Sequence, residues 1–262
     1  MNEDIFGENA VDVPTLLLIA VLGIASGLMI GCVGIGGVIL VPALVFLARV
    51  PIEVSIPAAM IAYIVSGLVA TAVFARNKSI HWSMAGWLCA GAAPTAFAGA
   101  WAVSVVSPLL LETGLGLLTL FSGLNSLRTT HTSEDLASSP SNKGLVLVGA
   151  VTGFLSSVSG TGGPLVLVPI LIAKSVPVLT AVGLSQAIQI PIGVAATLGN
   201  VVYGQLNLEL GGLLAASLTA GTWYGARLAH VVRRETLRRT VAVLLVVVGS
   251  FILGNVVWRL AG

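Results

Sequence analysis

Charge is what this chain has least of. Only 8% of its 262 residues are Asp, Glu, Lys or Arg, where a soluble globular domain carries roughly a quarter. Too few polar side chains are present to cover a water-facing globule. A net charge of +2 also leaves no basic field for a nucleic acid. No Asp, Glu, Lys, Arg or His stands at the centre of a long apolar run, so the usual intramembrane carboxylate or histidine relay is missing. His81, His131 and His230 fall at run ends or in a polar linker. Cysteine is nearly absent as well: Cys32 and Cys89 lie inside apolar runs and indicate neither a disulfide nor a metal site. The sequence has no Cys/His metal spacing, no His-Glu-x-x-His, no nucleophile elbow and no Walker loop. Nothing points to an enzyme, a metal or a cofactor.

Hydrophobic residues make up 56% of the chain, and the mean hydropathy is +1.05. Apolar segments run over 14–33, 35–49, 53–75, 82–105, 108–128, 144–158, 160–174, 178–203, 208–231 and 237–258. Most are long enough to cross a bilayer. An all-α polytopic membrane protein follows, in a cell membrane, with the bacterial cytoplasmic membrane as the expected one. The 31 glycines would weaken a soluble bundle, but in lipid small residues let helix backbones approach. The N-terminus, Glu3-Asp4 through Asp12-Val13-Pro14, is acidic and lacks the basic region of a cleaved signal. Trp82, Trp87, Trp223 and Trp258 lie near segment ends as interfacial anchors, and Trp101 and Tyr224 are similar.

The segments fall into two halves. Residues 1–13 form an acidic tail, 14–128 a first transmembrane repeat, 129–143 a polar linker and 144–262 a second repeat. An offset of 126 pairs Gly34 with Gly160, Pro51 with Pro177, Gly67 with Gly193, Thr71 with Thr197 and Gly99 with Gly225. Counting five segments per half puts ten of the twelve cations on one side. Only Arg49 and Arg259 then lie on the other, with Glu53 and Glu209. The basic side, which holds the linker, is cytoplasmic by the positive-inside rule. An odd count per half makes the second half enter upside-down, the inverted-repeat plan of many secondary transporters.

Each half carries the same glycine-broken cassette: Gly34-Ile35-Gly36-Gly37-Val38-Ile39-Leu40-Val41-Pro42, then Gly160-Thr161-Gly162-Gly163-Pro164-Leu165-Val166-Leu167-Val168-Pro169. Paired breaks of this kind are the best sequence pointer to a transporter's binding site. Each run precedes a short apolar stretch, so uncovered amides at a helix start could hold an anion. Pro164 suits a first helical turn. Segments 35–49 and 160–174 read as half-helices whose tips meet near the midplane, although full crossings would give the same parity. The glycines would equally serve close helix packing.

A second polar face follows the second cassette. Ser185 and Gln189 are four apart, with Gln186 beside them, and the first half offers Ala59, Met60 and Tyr63 at the corresponding place. Interhelical hydrogen bonding is the competing role for these side chains, and for Asn200, Asn125, Ser66 and Thr71.

The duplicated Gly-x-Gly-Gly…Val-Pro cassette, each followed by an Ala-Val-Gly-x-Ser kind of segment, resembles the TauE/SafE-type sulfite exporter family, also called the toluene-sulfonate uptake permeases. The resemblance covers about 20–258. The family's second-cassette pattern maps onto Gly160, Gly162, Gly163 and Pro169, and its following Thr-Ser pair onto Leu184 and Ser185. Leu184 departs from the usual Thr, and Pro57-Ala58-Ala59 departs further in the first half. The resemblance implies transport of sulfite, sulfoacetate or related sulfonates. The expectation is a permease for a small sulfur-containing or organic anion, with a passive anion channel or a membrane scaffold as alternatives. The expected partners are that anion and the lipid bilayer, with no nucleic acid, and a homo-oligomer is compatible with the sequence. Candidate binding residues are Gly34, Gly36, Gly37, Met60, Tyr63, Gly160, Thr161, Gly162, Gly163, Ser185, Gln186 and Gln189.

Overall fold

Proline, glycine and two capping side chains set where the helices begin and end. The computed structural model describes residues 13–34, 37–128, 141–204, 206–229 and 234–261. Among these the helices are α1 (Val13–Val33), α2 (Gly37–Phe46), α3 (Ile52–Arg76), α4 (Trp82–Val105), α5 (Pro108–Arg128), α6 (Asn142–Ser159), α7 (Pro164–Ala173), α8 (Val178–Tyr203), α9 (Leu208–Leu228) and α10 (Arg234–Ala261). Pro51 and Pro177 precede α3 and α8 at corresponding places. Pro108 and Pro164 each open a helix, where a missing N–H costs nothing. Ser141 and Asn207 cap α6 and α9 by accepting from the N–H of Gly144 and Leu210. Pro57, Pro94 and Pro191 lie inside α3, α4 and α8; such prolines are tolerated in lipid where neighbours serve the freed carbonyls.

The distribution of polarity is that of a membrane protein. Leu17, Val21, Phe121, Leu147 and Val201 are exposed, while Ser66, Thr152, Ser156, Ser185, Gln186 and Gln189 are buried. Water would reverse that pattern; lipid favours it. Four helices among the described residues are long and apolar enough to cross a bilayer: Val13–Cys32, Ile52–Arg76, Trp82–Val105 and Val178–Tyr203. The chain is a multi-pass membrane protein. Trp82, Trp87, Trp101, Trp258 and Tyr224 are exposed, and the Arg227 guanidinium stands 3.7 Å over the Trp223 ring. The cations at 128, 233, 234 and 238, the linker at 129–140, His131, His230 and the acidic tail lie outside the described side chains or residues.

Glycine brings the helices together in cross-linked pairs. A Cβ on Gly27 would strike the Leu218 carbonyl, and one on Gly225 the Leu28 carbonyl, so α1 and α9 touch backbone to backbone. Gly149 against Leu88 and Gly91 against Val146 do the same for α6 and α4. The first helix of each half thus packs on the fourth helix of the other half. α5 and α10 form a third pair through Gly116, Gly123 and Gly249. Its end is tied by Arg259, whose Nη1 donates to both Glu112 carboxylate oxygens at 3.1 and 3.2 Å. Glu112 is buried, so its partner is required.

α3 and α8 cross antiparallel at the centre. A Cβ on Gly193 would meet the Met60 carbonyl, and one on Gly67 would meet Ile190 and the Gln186 carbonyl. Every one of these packing relations has a counterpart when the two halves are exchanged: α1·α9 with α6·α4, α3·α9 with α8·α4, α2·α3 with α7·α8.

Candidate functional site

α2 and α7 have 10 residues each, about 15 Å at 1.5 Å per residue. That is half the ~30 Å hydrocarbon thickness. Their starts meet at the α3/α8 crossing. A Cβ on Gly37 would run into the Thr161 carbonyl, and one on Gly34 would come within 3.3 Å of both Pro164 Cβ and Ser185 Oγ. The Tyr63 hydroxyl bridges the two breaks, 3.0 Å from the Gly160 carbonyl and 3.3 Å from the Gly37 carbonyl.

The second break is built on backbone that side chains resist. Gly162 has φ 76° and Gly163 φ 117°, a region L-residues rarely enter. A Cβ on Gly162 would also lie 2.9 Å from the Tyr63 ring. Glycine is therefore needed here for chain conformation as well as for close packing. The turn satisfies some amides and leaves others. Gly160 and Thr161 N–H both donate to the Ser156 carbonyl, and Val166 and Leu167 N–H to the Gly163 carbonyl. The N–H groups of Gly162, Gly163 and Leu165 have no partner among the described residues. Three buried unpaired N–H groups at one helix start are rare in a folded protein, and they collect where the α7 dipole is positive.

Side chains around the junction are partly committed. Ser185 Oγ donates to the Val182 carbonyl at 2.7 Å. Ser159 Oγ donates to the Leu155 carbonyl, so the hydroxyl proton of Thr161, 2.9 Å from Ser159 Oγ, goes to Ser159. Gln186 Nε2 donates to the Ile30 carbonyl at 3.0 Å, and Gln189 Nε2 to Ser66 Oγ at 3.3 Å. Each glutamine keeps a second N–H, and both Oε1 atoms are buried without a partner among the described residues. Met60 is buried on α3, its carbonyl against Gly193.

The structure thus brings together Gly34, Gly37, Tyr63, Gly160, Thr161, Gly162, Gly163, Ser185, Gln186 and Gln189, with Met60 one turn away and Gly36 outside the described residues. Sequence reasoning passed over α6. Thr152 and Ser156 are fully buried, their hydroxyls without a partner among the described residues, and Thr152 Cγ2 lies 3.9 Å from where a Gly163 Cβ would stand. Their i, i+4 spacing just before the second cassette was the available signal. Its absence from the first half hid it. No group of three metal-ligating side chains occurs among the described residues.

A helical bundle with lipid-compatible flanks, a polar interior and two broken helices meeting at its centre defines a membrane transporter. The chain belongs to the sulfite exporter TauE/SafE family, whose model matches residues 19–252. It is similar to the probable membrane transporter protein YunE of Bacillus subtilis, 22% identical over 89% of this chain and 94% of that one. It is also similar to a probable membrane transporter protein of Methanocaldococcus jannaschii, 23% identical over 91% of this chain and 95% of that one. No solved structure matches.

Proposed function

We propose that the protein is a permease for a small sulfur-containing or organic anion, bound between the two cassettes and carried without covalent chemistry. The observation that carries this is the set of unpaired N–H groups at Gly162, Gly163 and Leu165, buried at the start of α7. α1, α3, α6, α7 and α8 hold no charged residue between their end turns, so a solute charge here is met by dipoles and neutral donors. The family name of a sulfite exporter supports the chemical class. Burial of most described cassette residues, with only Ile39, Val166 and Pro169 partly exposed, supports a carrier over an open channel. The exchange symmetry of the packing supports two inverted halves, with α2 and α7 as re-entrant half-helices, and the distribution of Lys and Arg supports basic ends facing the cytoplasm.

The test is binding and flux in proteoliposomes with sulfite, sulfonates and small carboxylates. Losing one donor to a bound charged group costs about 1.5–3 kcal/mol, roughly ten- to hundred-fold in affinity. Gln189→Leu is expected to weaken binding on that scale with little change in melting. Ser185→Ala, whose proton already serves Val182, should have the smaller effect. Gly162→Val should stop transport. A Gln189→Leu protein that binds every anion as wild type does would show that this face only packs helices.

A further inference from the structure

An anion whose oxygens are all bare acceptors would leave this site half-served. The α7 start and the α6 hydroxyls of Thr152 and Ser156 offer donors. Gln186 Oε1 and Gln189 Oε1 are different: they are buried carbonyl oxygens, 0% and 1% exposed by residue, and have no donor among the described residues. A buried acceptor without a partner carries its full desolvation cost, and a bare oxyanion beside it adds repulsion. Gln186 cannot swap ends, because its Nε2 is held by the Ile30 carbonyl; Gln189 can, since the Ser66 hydroxyl would donate to a turned Oε1 as readily as it accepts from Nε2, so the fixed acceptor is Gln186 Oε1. The site therefore presents donors from α6 and α7 and an acceptor from α8.

Charge points the same way. With no cation between the end turns of the surrounding helices, the burial cost of an ion rises as the square of its charge, about four times higher for a dianion than for a monoanion. We infer that the solute is a monoanion bearing its own hydrogen-bond donor: a protonated oxyanion such as hydrogen sulfite, or a sulfonate with a hydroxyl or amino group. Its oxygens take the N–H and hydroxyl donors, and its O–H or N–H donates to the Gln186 carbonyl of α8. This inference rests on the site proposed above and names its substrate class. Among the described residues the titratable group that faces the junction is the Tyr63 phenol of α3; the Cys32 thiol of α1 points instead to α9, donating to the Gly225 carbonyl. Phenols and thiols ordinarily keep their protons at neutral pH. A pH series across neutrality consequently titrates the solute and not the site.

The experiment measures binding of four probes to the purified full chain: total sulfite from mildly acidic to mildly alkaline pH, sulfate, methanesulfonate and 2-hydroxyethanesulfonate. Methanesulfonate has the charge and nearly the size of hydrogen sulfite but no donor. Apparent affinity for total sulfite should fall about tenfold per pH unit above its second ionisation, tracking the protonated fraction. Hydrogen sulfite or 2-hydroxyethanesulfonate should bind at least about tenfold more tightly than methanesulfonate, the cost of one unmade bond to a buried acceptor. Which of the two binds distinguishes an inorganic from an organic solute. Gln186→Met, which removes an orphan acceptor at similar volume, should shrink the gap between hydrogen sulfite and methanesulfonate. Equal binding of methanesulfonate and both donor-bearing probes, or equal binding of sulfate or the sulfite dianion, overturns the inference and leaves the site standing. Binding of no probe overturns both.

Discussion

Replacing Tyr63 by Phe tests whether the two cassettes are held to each other or merely adjacent. The substitution keeps the ring that covers Gly162 and removes one oxygen. That oxygen is 3.0 Å from the Gly160 carbonyl and 3.3 Å from the Gly37 carbonyl. A hydroxyl has one proton, so it makes one good bond and one weak share, and the shorter contact marks Gly160 as the main acceptor. Gly37 lies within α2 and its carbonyl has the helix ladder to fall back on; Gly160, at the left-handed C-cap of α6, has none. The loss is one buried carbonyl left without a donor, about 2 kcal/mol in the middle of the usual range. At roughly 2–4 °C per kcal/mol for a chain of this size, the melting point should fall by about 4–8 °C. Detergent-solubilised protein followed by intrinsic fluorescence would read this. Tyr63→Leu should cost more, because it also opens a cavity beside Gly162. A Tyr63→Phe protein that melts within about 1 °C of wild type would refute the bridge.

Two further outcomes follow from the packing and the proposed topology. Gly149→Ala and Gly225→Ala place a methyl against the Leu88 and Leu28 carbonyls, so each should destabilise by about 1–3 kcal/mol. Gly86→Ala and Gly212→Ala, with nothing within 4 Å, should be neutral or gain up to about 1 kcal/mol of helix propensity, and thermal melting compares the four. In a protein freed of Cys32 and Cys89, Asn2→Cys and Leu260→Cys should react with an impermeant thiol reagent in intact cells while His131→Cys does not. The reverse pattern would invert the orientation.

The helix starts were legible because they depend on local chemistry. Pro164 after paired glycines announces an α7 that begins there, and the same break at Gly34–Gly37 announces α2. The exchange partners were not legible. Gly23, Gly27 and Gly31 mark a face that approaches something closely, but nothing in their spacing says that the other surface is Leu218, Thr222 and Gly225 on α9 rather than a neighbour in the same half. Periodicity reports which side of a helix is special; the partner is decided by the whole arrangement.

The centre was half legible for a related reason. Tyr63 and Gln189 stand at the same offset of 126 as Gly67 and Gly193, yet one ties the cassettes through its hydroxyl and the other bonds Ser66 Oγ across the α3/α8 crossing. A comparison of halves rewards likeness, so it found the glycine frame and undervalued the unlike pair. Thr152 and Ser156 escaped in the same way, since Ser26 and Ile30 stand at their places in α1. Packing needs the two halves to match, because each glycine face must accept the partner helix of the other. A solute with donors on one end and acceptors on the other needs a centre that does not match. On the proposed site, the residues that break the repeat, Tyr63 against Gln189 and Ile30 against Ser156, are the first positions at which to test solute selectivity.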